Sequence, residues 1–333
     1  MASQTDRPMN WNVDEGSGFV SIHNRKVFLS VRGPPRTFDQ PVVVCEAGHA
    51  STSHVWAGVQ SHAGRFVRTF AYDRAGMGQS QPGPSPRTAA AAAQDLSDVL
   101  DAAQVPGPYL LVCHSYGGIL AREFLHLRRP DVEGIIFIDT ITERYTAEAA
   151  LPLADYRAVV GGLDFWEVSG LAARHALTPA EFELVKKQWP NDEATAAAEA
   201  DALPASERAL AEKNQFATRA LDDRPVVVMR GNATQEIRAV VEAGAAAGHG
   251  TRSQRAALEA FLETSEAIRD RHQSEQGMLS FTVRHVIAEH GYHMVPITEP
   301  GLIAREIRIM LETLEPAAWQ GVHFPWDMAL DIL

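Results

Sequence analysis

The sequence predicts an α/β protein: a mostly parallel central sheet flanked by helices, with a helical segment inserted into it. Three observations lead there. The short runs 41–45, 109–113, 134–138 and 225–229 are apolar along nearly their whole length. They have no polar face to turn to water, so both sides must be covered, as in a parallel sheet between helix layers. Helical stretches alternate with them. Between 141 and 222 the alternation stops, over a length too great for a structureless loop.

Taken in order, residues 18–31 read as an opening hairpin, followed by strands at 41–45 and 67–72. After the Pro/Gly-rich stretch 82–86, Thr88 to Ala103 form an Ala-rich helix with Leu96, Val99, Leu100 and Ala103 on one face and Thr88 as its N-cap. Pro106-Gly107-Pro108 stops it. A strand at 109–113, a helix at 117–128 and a strand at 134–138 follow. Residues 141–222 are helical in composition and carry Tyr145, Tyr156, Phe165, Trp166 and Trp189. Strand–helix order resumes with a strand at 225–229, a long helix at 252–276, a strand at 281–287 and a helix at 300–314. The tail beyond Glu315, with Trp319, Phe324 and Trp326, is expected to pack back on the body. The division is core at 1–140, helical cap at 141–222, and core again at 223–333.

The chain has 333 residues, with 30 basic against 42 acidic and a net charge of −12. A general nucleic-acid or anionic-membrane binder needs a basic face, so neither partner is expected. No stretch approaches the roughly 18–20 apolar residues of a membrane span. The N-terminal MASQTDRPMNW lacks the apolar core of a secretory signal. The two cysteines, Cys45 and Cys113, sit in apolar runs and read as buried free thiols. The expectation is a soluble, cytoplasmic protein of undetermined oligomeric state.

The chemistry centres on Tyr109–Gly118, where a strand runs into a small-x-Ser-x-Gly-Gly turn and then a helix. This is a nucleophile elbow: the turn is so tight that only small residues fit two before and two after the serine. Cys113 and Gly117 meet that demand, Cys113 standing where Gly is usual. Ser115 is then lifted off the sheet beside a helix N-terminus, where developing negative charge is favoured. A hydroxyl is a poor nucleophile at neutral pH. It needs a base, and the base needs a carboxylate to set its tautomer. His114 stands beside the serine but points away from it.

With this elbow, three further stretches give a resemblance to the α/β-hydrolase superfamily over roughly residues 20–315. Glu46–Trp56 resembles its oxyanion-donor loop, Asp73–Ser80 its D-R-x-G-x-G-x-S turn, and 284–300 its C-terminal histidine loop. The resemblance implies His293 as base, from its spacing to Pro300, with His290 as the competing residue. It implies backbone oxyanion donors at His49 and Tyr116, with side-chain identity free. His49 and His54 are equally readable as pocket-lining or as ordinary loop residues. Asp73 and Arg74 are read as structural, tying the glycine turn to neighbouring loops.

Many relatives place the acid three residues after the glycine that follows the 225–229 strand. That glycine is Gly231 and the position holds Thr234, which cannot serve. Other relatives place it after the strand that follows the elbow helix. There Asp139 stands first, with Glu143 and Glu236 as alternatives. No metal motif, dinucleotide fingerprint or phosphate loop is seen, so no metal and no cofactor is expected.

The expected function is cleavage of an ester or lactone of a hydrophobic small molecule through an acyl-serine. Phe165, Trp166 and Trp189 of the inserted segment are candidate substrate contacts, or simple packing. A non-hydrolytic lyase or cyclase using the Ser/His pair as acid and base, and a ligand receptor on a hydrolase scaffold, are the other readings.

Overall fold

The computed structural model describes residues 8–37, 39–188 and 193–314. Eight strands form one sheet: β1 (Gly16–Ile22), β2 (Arg25–Arg32), β3 (Val42–Glu46), β4 (Thr69–Tyr72), β5 (Tyr109–His114), β6 (Val132–Ile138), β7 (Val226–Arg230) and β8 (Val283–Ile287). Their spatial order is β1-β2-β4-β3-β5-β6-β7-β8. The β1–β2 and β2–β4 pairs are antiparallel and the rest are parallel.

The apolar runs are explained by what lies on either side. Along β5, Leu110 and Val112 belong to one buried cluster, while Tyr109, Leu111 and Cys113 belong to another. Successive side chains point to opposite faces, so a strand covered on both faces has no polar alternation to show. The first cluster is closed by α1 (Ala57–Ala63) and α13 (Pro300–Leu314), the second by α2 (Ala89–Ala102) and α3 (Gly117–Arg128). Thr88 does cap α2, accepting from the Ala91 amide at 3.2 Å. At the sheet edge β8 departs from the pattern, with Ile287 69% exposed.

Six helices lie between β6 and β7 among the described residues: α4 (Tyr145–Glu148), α5 (Leu153–Val160), α6 (Phe165–Val168), α7 (Leu171–Arg174), α8 (Pro179–Lys187) and α9 (Glu193–Ala211). After β7 come α10 (Ala233–Ala246) and α11 (Arg252–Gln276), and α12 (Val295–Thr298) precedes α13. The sequence does not foretell three helices, α1, α10 and the four-residue α12 in the histidine loop. The first is a seven-residue helix inside what reads as a loop. The second is capped by Asn232, whose side chain accepts from the Gln235 amide at 3.0 Å. The tail from Glu315 onward lies outside the described residues.

The fold places the site through β5 and β6. They are parallel neighbours in which His114 pairs with Ile138. The next residue on each strand is Ser115 and Asp139. Both emerge at the carboxyl edge of the sheet, where clefts form in open α/β folds.

Candidate active site

Ser115 has φ +54°, a left-handed conformation that costs a non-glycine residue about 1–2 kcal/mol. Backbone hydrogen bonds hold it there. Its N–H donates to Ile138 O at 3.1 Å, and its carbonyl accepts from Gly118 at 3.1 Å and Ile141 at 3.2 Å. The glycines after it are steric necessities. A Cβ on Gly117 would run into the Glu46 carbonyl oxygen, and one on Gly118 would sit 2.6 Å from Thr140 Cβ. Cys113 lies buried, its Sγ 3.4 Å from Ile136 O, and burial pushes its thiol well above the usual range.

His293 sits in the loop between β8 and α12 with its imidazole between two groups. Nδ1 is 2.6 Å from Asp139 Oδ2 and Nε2 is 3.1 Å from Ser115 Oγ. A carboxylate only accepts, so Nδ1 carries the hydrogen and Nε2 presents its lone pair to the serine hydroxyl. The backbone of His293 is held at both ends. Its N–H donates to Glu236 Oε2 at 3.1 Å, and its carbonyl accepts from His114 Nε2–H at 2.8 Å. Burial, then the nearby His293, lowers His114 from the ordinary 6.5 to about 3. His114 is therefore a neutral donor that anchors the histidine loop.

Asp139 is 1% exposed and has φ +42°. Burial alone would raise its carboxyl. The Arg269 guanidinium, at 2.8 Å from Oδ2, together with hydrogen bonds from His293 and from Gln273 Nε2 to Oδ1, outweighs burial and holds it well below the usual carboxylate range. It is an ionised buried acid with both carboxylate oxygens hydrogen-bonded.

The competing residues are occupied elsewhere. Glu143 is paired with Arg122, whose NH2 is 3.0 Å from Oε1. Glu236 meets the His293 backbone rather than its ring, and burial raises its carboxyl. Thr234 Oγ1 lies 3.3 Å from Ser265 Oγ. The His290 amide donates to Glu299 Oε1 at 2.9 Å, and the residue is exposed.

Among the described residues the His49 and Tyr116 amides donate to no other group. The loop carrying His49 lies against the elbow, since a Cβ on Gly48 would stand 3.1 Å from Ser115 Cβ. The His49 side chain is not idle: its Nε2–H donates to Ala196 O of α9 at 2.7 Å. His54 is lowered by burial, then raised in part by Asp73, and lies in the short 3-10 turn Ser53–Trp56 that precedes α1. Asp73 accepts from the Ser53 amide at 2.8 Å and the Gln79 amide at 2.9 Å, which closes the glycine turn. Arg74 reaches further than neighbouring loops. It contacts Glu46, the Ala47 and Gly48 carbonyls, and Glu199 of α9.

Trp166 is 7% exposed in the cluster beneath α1 and α13, with ring neighbours Phe165 at 5.6 Å and Phe182 at 5.4 Å. These contacts are packing. Trp189 lies outside the described residues. No group of three or more His, Cys, Asp or Glu placed to hold a metal ion is found among the described residues. No helix among them is long and apolar enough to cross a membrane.

Sequence reasoning missed Arg269 and Gln273, two neighbours one turn apart on α11 that both hold Asp139. A signal existed. The inward face of α11 carries Ser265, His272, Gln273 and Gln276. Buried polar side chains at helical spacing point to a hydrogen-bonded partner beneath them.

Residues 42–306 match the model of the alpha/beta hydrolase family. An "AB hydrolase superfamily protein" of Gibberella zeae is 34% identical over 85% of this chain and 90% of its own. A haloalkane dehalogenase of Sphingobium indicum is 26% identical over 37% of this chain and 42% of its own. The crystal structure of the enol-lactonase from Burkholderia xenovorans superposes with a TM-score of 0.59 at 13% identity, over 88% of this chain and 99% of that one. At that identity the likeness is one of fold.

Proposed function

The chain belongs to the alpha/beta hydrolase family, and on that premise we propose that it is a serine hydrolase that cleaves an ester or lactone of a hydrophobic small molecule. The observation that carries this is the unbroken chain from Asp139 Oδ2 through His293 Nδ1 and Nε2 to Ser115 Oγ, at 2.6 and 3.1 Å. His293 Nε2 takes the Ser115 proton as Oγ attacks the substrate carbonyl carbon. Ionised Asp139 stabilises the imidazolium, and the free His49 and Tyr116 amides receive the oxyanion. The imidazolium protonates the leaving alcohol as the C–O bond breaks. Water, activated by the same imidazole, then attacks the acyl-serine and releases the acid. From a lactone, alcohol and acid leave as one hydroxy acid.

A serine at 115 favours acyl transfer over halide displacement, for which a carboxylate nucleophile is the ordinary device on this scaffold. Residues 141–222 serve as a cap, supported by the contacts of α9 with the loop at His49. Phe165 and Trp166, which pack with Phe182 against the cluster beneath α1 and α13, are together with Trp189 the proposed substrate contacts of that segment. The net charge of −12 speaks for a small-molecule substrate rather than nucleic acid or a membrane, and two unpaired buried thiols fit a cytoplasmic setting.

The test is labelling by a fluorophosphonate, read as an intact-mass shift and mapped by peptide digestion. One adduct on Ser115, absent in Ser115→Ala, is expected. An ester-hydrolysing Ser115→Ala protein would contradict the acyl-serine.

A further inference from the structure

We propose that Arg74 and Glu199 are positioning residues that make helix α9 part of the oxyanion site, by fixing the peptide that carries the His49 amide. The inference rests on the function proposed above and deepens it. Arg74 is buried, and its guanidinium has five N–H donors. All five are used. Nε donates to Glu199 Oε1 at 2.8 Å and NH2 to Glu199 Oε2 at 3.1 Å, a two-pronged pair with α9. NH2 also donates to the Gly48 carbonyl at 2.7 Å, and NH1 to the Ala47 carbonyl at 2.7 Å and Glu46 Oε1 at 3.1 Å.

The Gly48 contact has a directional consequence. In a trans peptide the carbonyl of one residue and the N–H of the next point in opposite directions. Arg74 holds the Gly48 oxygen on its own side, so the His49 N–H faces away from it. The same loop packs against Ser115 through Gly48. A second link runs in parallel, from the His49 imidazole to Ala196 O, one turn before Glu199 on α9.

Two carboxylates face the guanidinium, and Glu199 is the one that balances it. Glu46 is pushed up to about 7 by burial, against the pull of Arg74 and the Tyr72 hydroxyl at 2.5 Å. Arg74 makes two hydrogen bonds to Glu199 and one to Glu46, so its fork leans most on a residue of the inserted segment. Take Glu199 away and Arg74 loses the partner that orients its fork. The loop amide then loses its fixed direction, although no group touching the substrate has changed. In this arrangement the site is complete only while α9 is seated.

The experiment compares Glu199→Ala, Glu199→Gln and Glu207→Gln on a p-nitrophenyl ester. Glu207 is a buried carboxylate on the same helix that holds the Thr146 amide at 2.9 Å and does not contact Arg74. Losing one oxyanion donor costs roughly 10²–10³ in kcat, so Glu199→Ala is expected to lose on the order of 10² with KM nearly unchanged. Glu199→Gln keeps one acceptor for Arg74 but loses the charge and the second acceptor, so it recovers only in part, to about tenfold below the wild type by the same scale. Affinity for a trifluoromethyl ketone, which forms a tetrahedral adduct, falls in step with kcat, and Glu207→Gln alters neither. If Glu199→Ala does not fold, Glu199→Gln against Glu207→Gln decides. Equal kcat and inhibitor affinity in those two overturns the inference. A wild-type protein that is not labelled at Ser115 overturns the proposed function, and this inference with it. A labelled, active wild type matched by its Glu199 variants overturns this inference alone.

Discussion

The serine end and the acid end of the proposed relay are built by different physics. At Ser115 the means are steric and local: a strand, a left-handed turn, two glycines whose Cβ atoms would strike Glu46 and Thr140, and three backbone hydrogen bonds. At Asp139 the means are electrostatic and distant: a buried carboxylate stabilised by Arg269 and Gln273, over a hundred residues away on α11. A steric device can be changed at one residue without disturbing charge elsewhere. An electrostatic one cannot, since removing the anion strands a cation. Variants at the two ends should therefore fail in different ways.

The largest effect is expected at the serine end and its base. Ser115→Ala and His293→Ala should each lower kcat on the order of 10⁶, because members of such a unit are not additive, while both keep a wild-type melting curve. His290→Ala should stay within about twofold by the same comparison. Burst-phase kinetics on a chromogenic ester measure all three, and a His290 loss exceeding the His293 loss would move the base.

A smaller effect, on stability rather than the chemical step, is expected at the acid end. Removing one partner of a buried ion pair typically costs about 3 kcal/mol, and Arg269→Gln should lie near that value at pH 7. The sign with pH is fixed. Asp139 is held below its ordinary 3.8, so the stabilisation from Arg269 is complete above that pH and is lost as pH falls below it. The gap between wild-type and Arg269→Gln melting temperatures should narrow from pH 5 towards pH 2. Parallel curves over that range would mean that Arg269 does not act through the carboxylate. Asp139→Asn alone is expected to destabilise the fold for the same reason, because it strands Arg269.

The same contrast governs what could be read from the chain. The continuous apolar strands, the elbow and its glycines are legible because each demand falls on residues adjacent in sequence. Asp139 is legible as a strand end, and Thr234 as a vacancy at the usual place for an acid. Arg269, Gln273 and Glu199 are not, because each acts on a group more than a hundred positions away and sits in a helix whose composition reads as solvent-facing. His49 shows the limit within one residue. The resemblance marks its backbone as a donor and leaves its side chain unassigned, and the bond from that side chain to Ala196 O joins two positions far apart in sequence. The helices α1 and α10 escaped because α1 sits within what reads as a loop, and α10 follows β7 where a loop bearing the acid was sought.

The central claim is that Asp139 sets the tautomer of His293, and its most direct test avoids the stranded cation. In an Arg269→Gln background, Asp139→Asn exchanges an acceptor for an amide without unbalancing charge. If Asp139 orients the imidazole, kcat should fall on the order of 10⁴ relative to Arg269→Gln, as when an amide favours the wrong tautomer in a serine protease. A double variant within tenfold of its parent would show that Asp139 is not the acid of the relay.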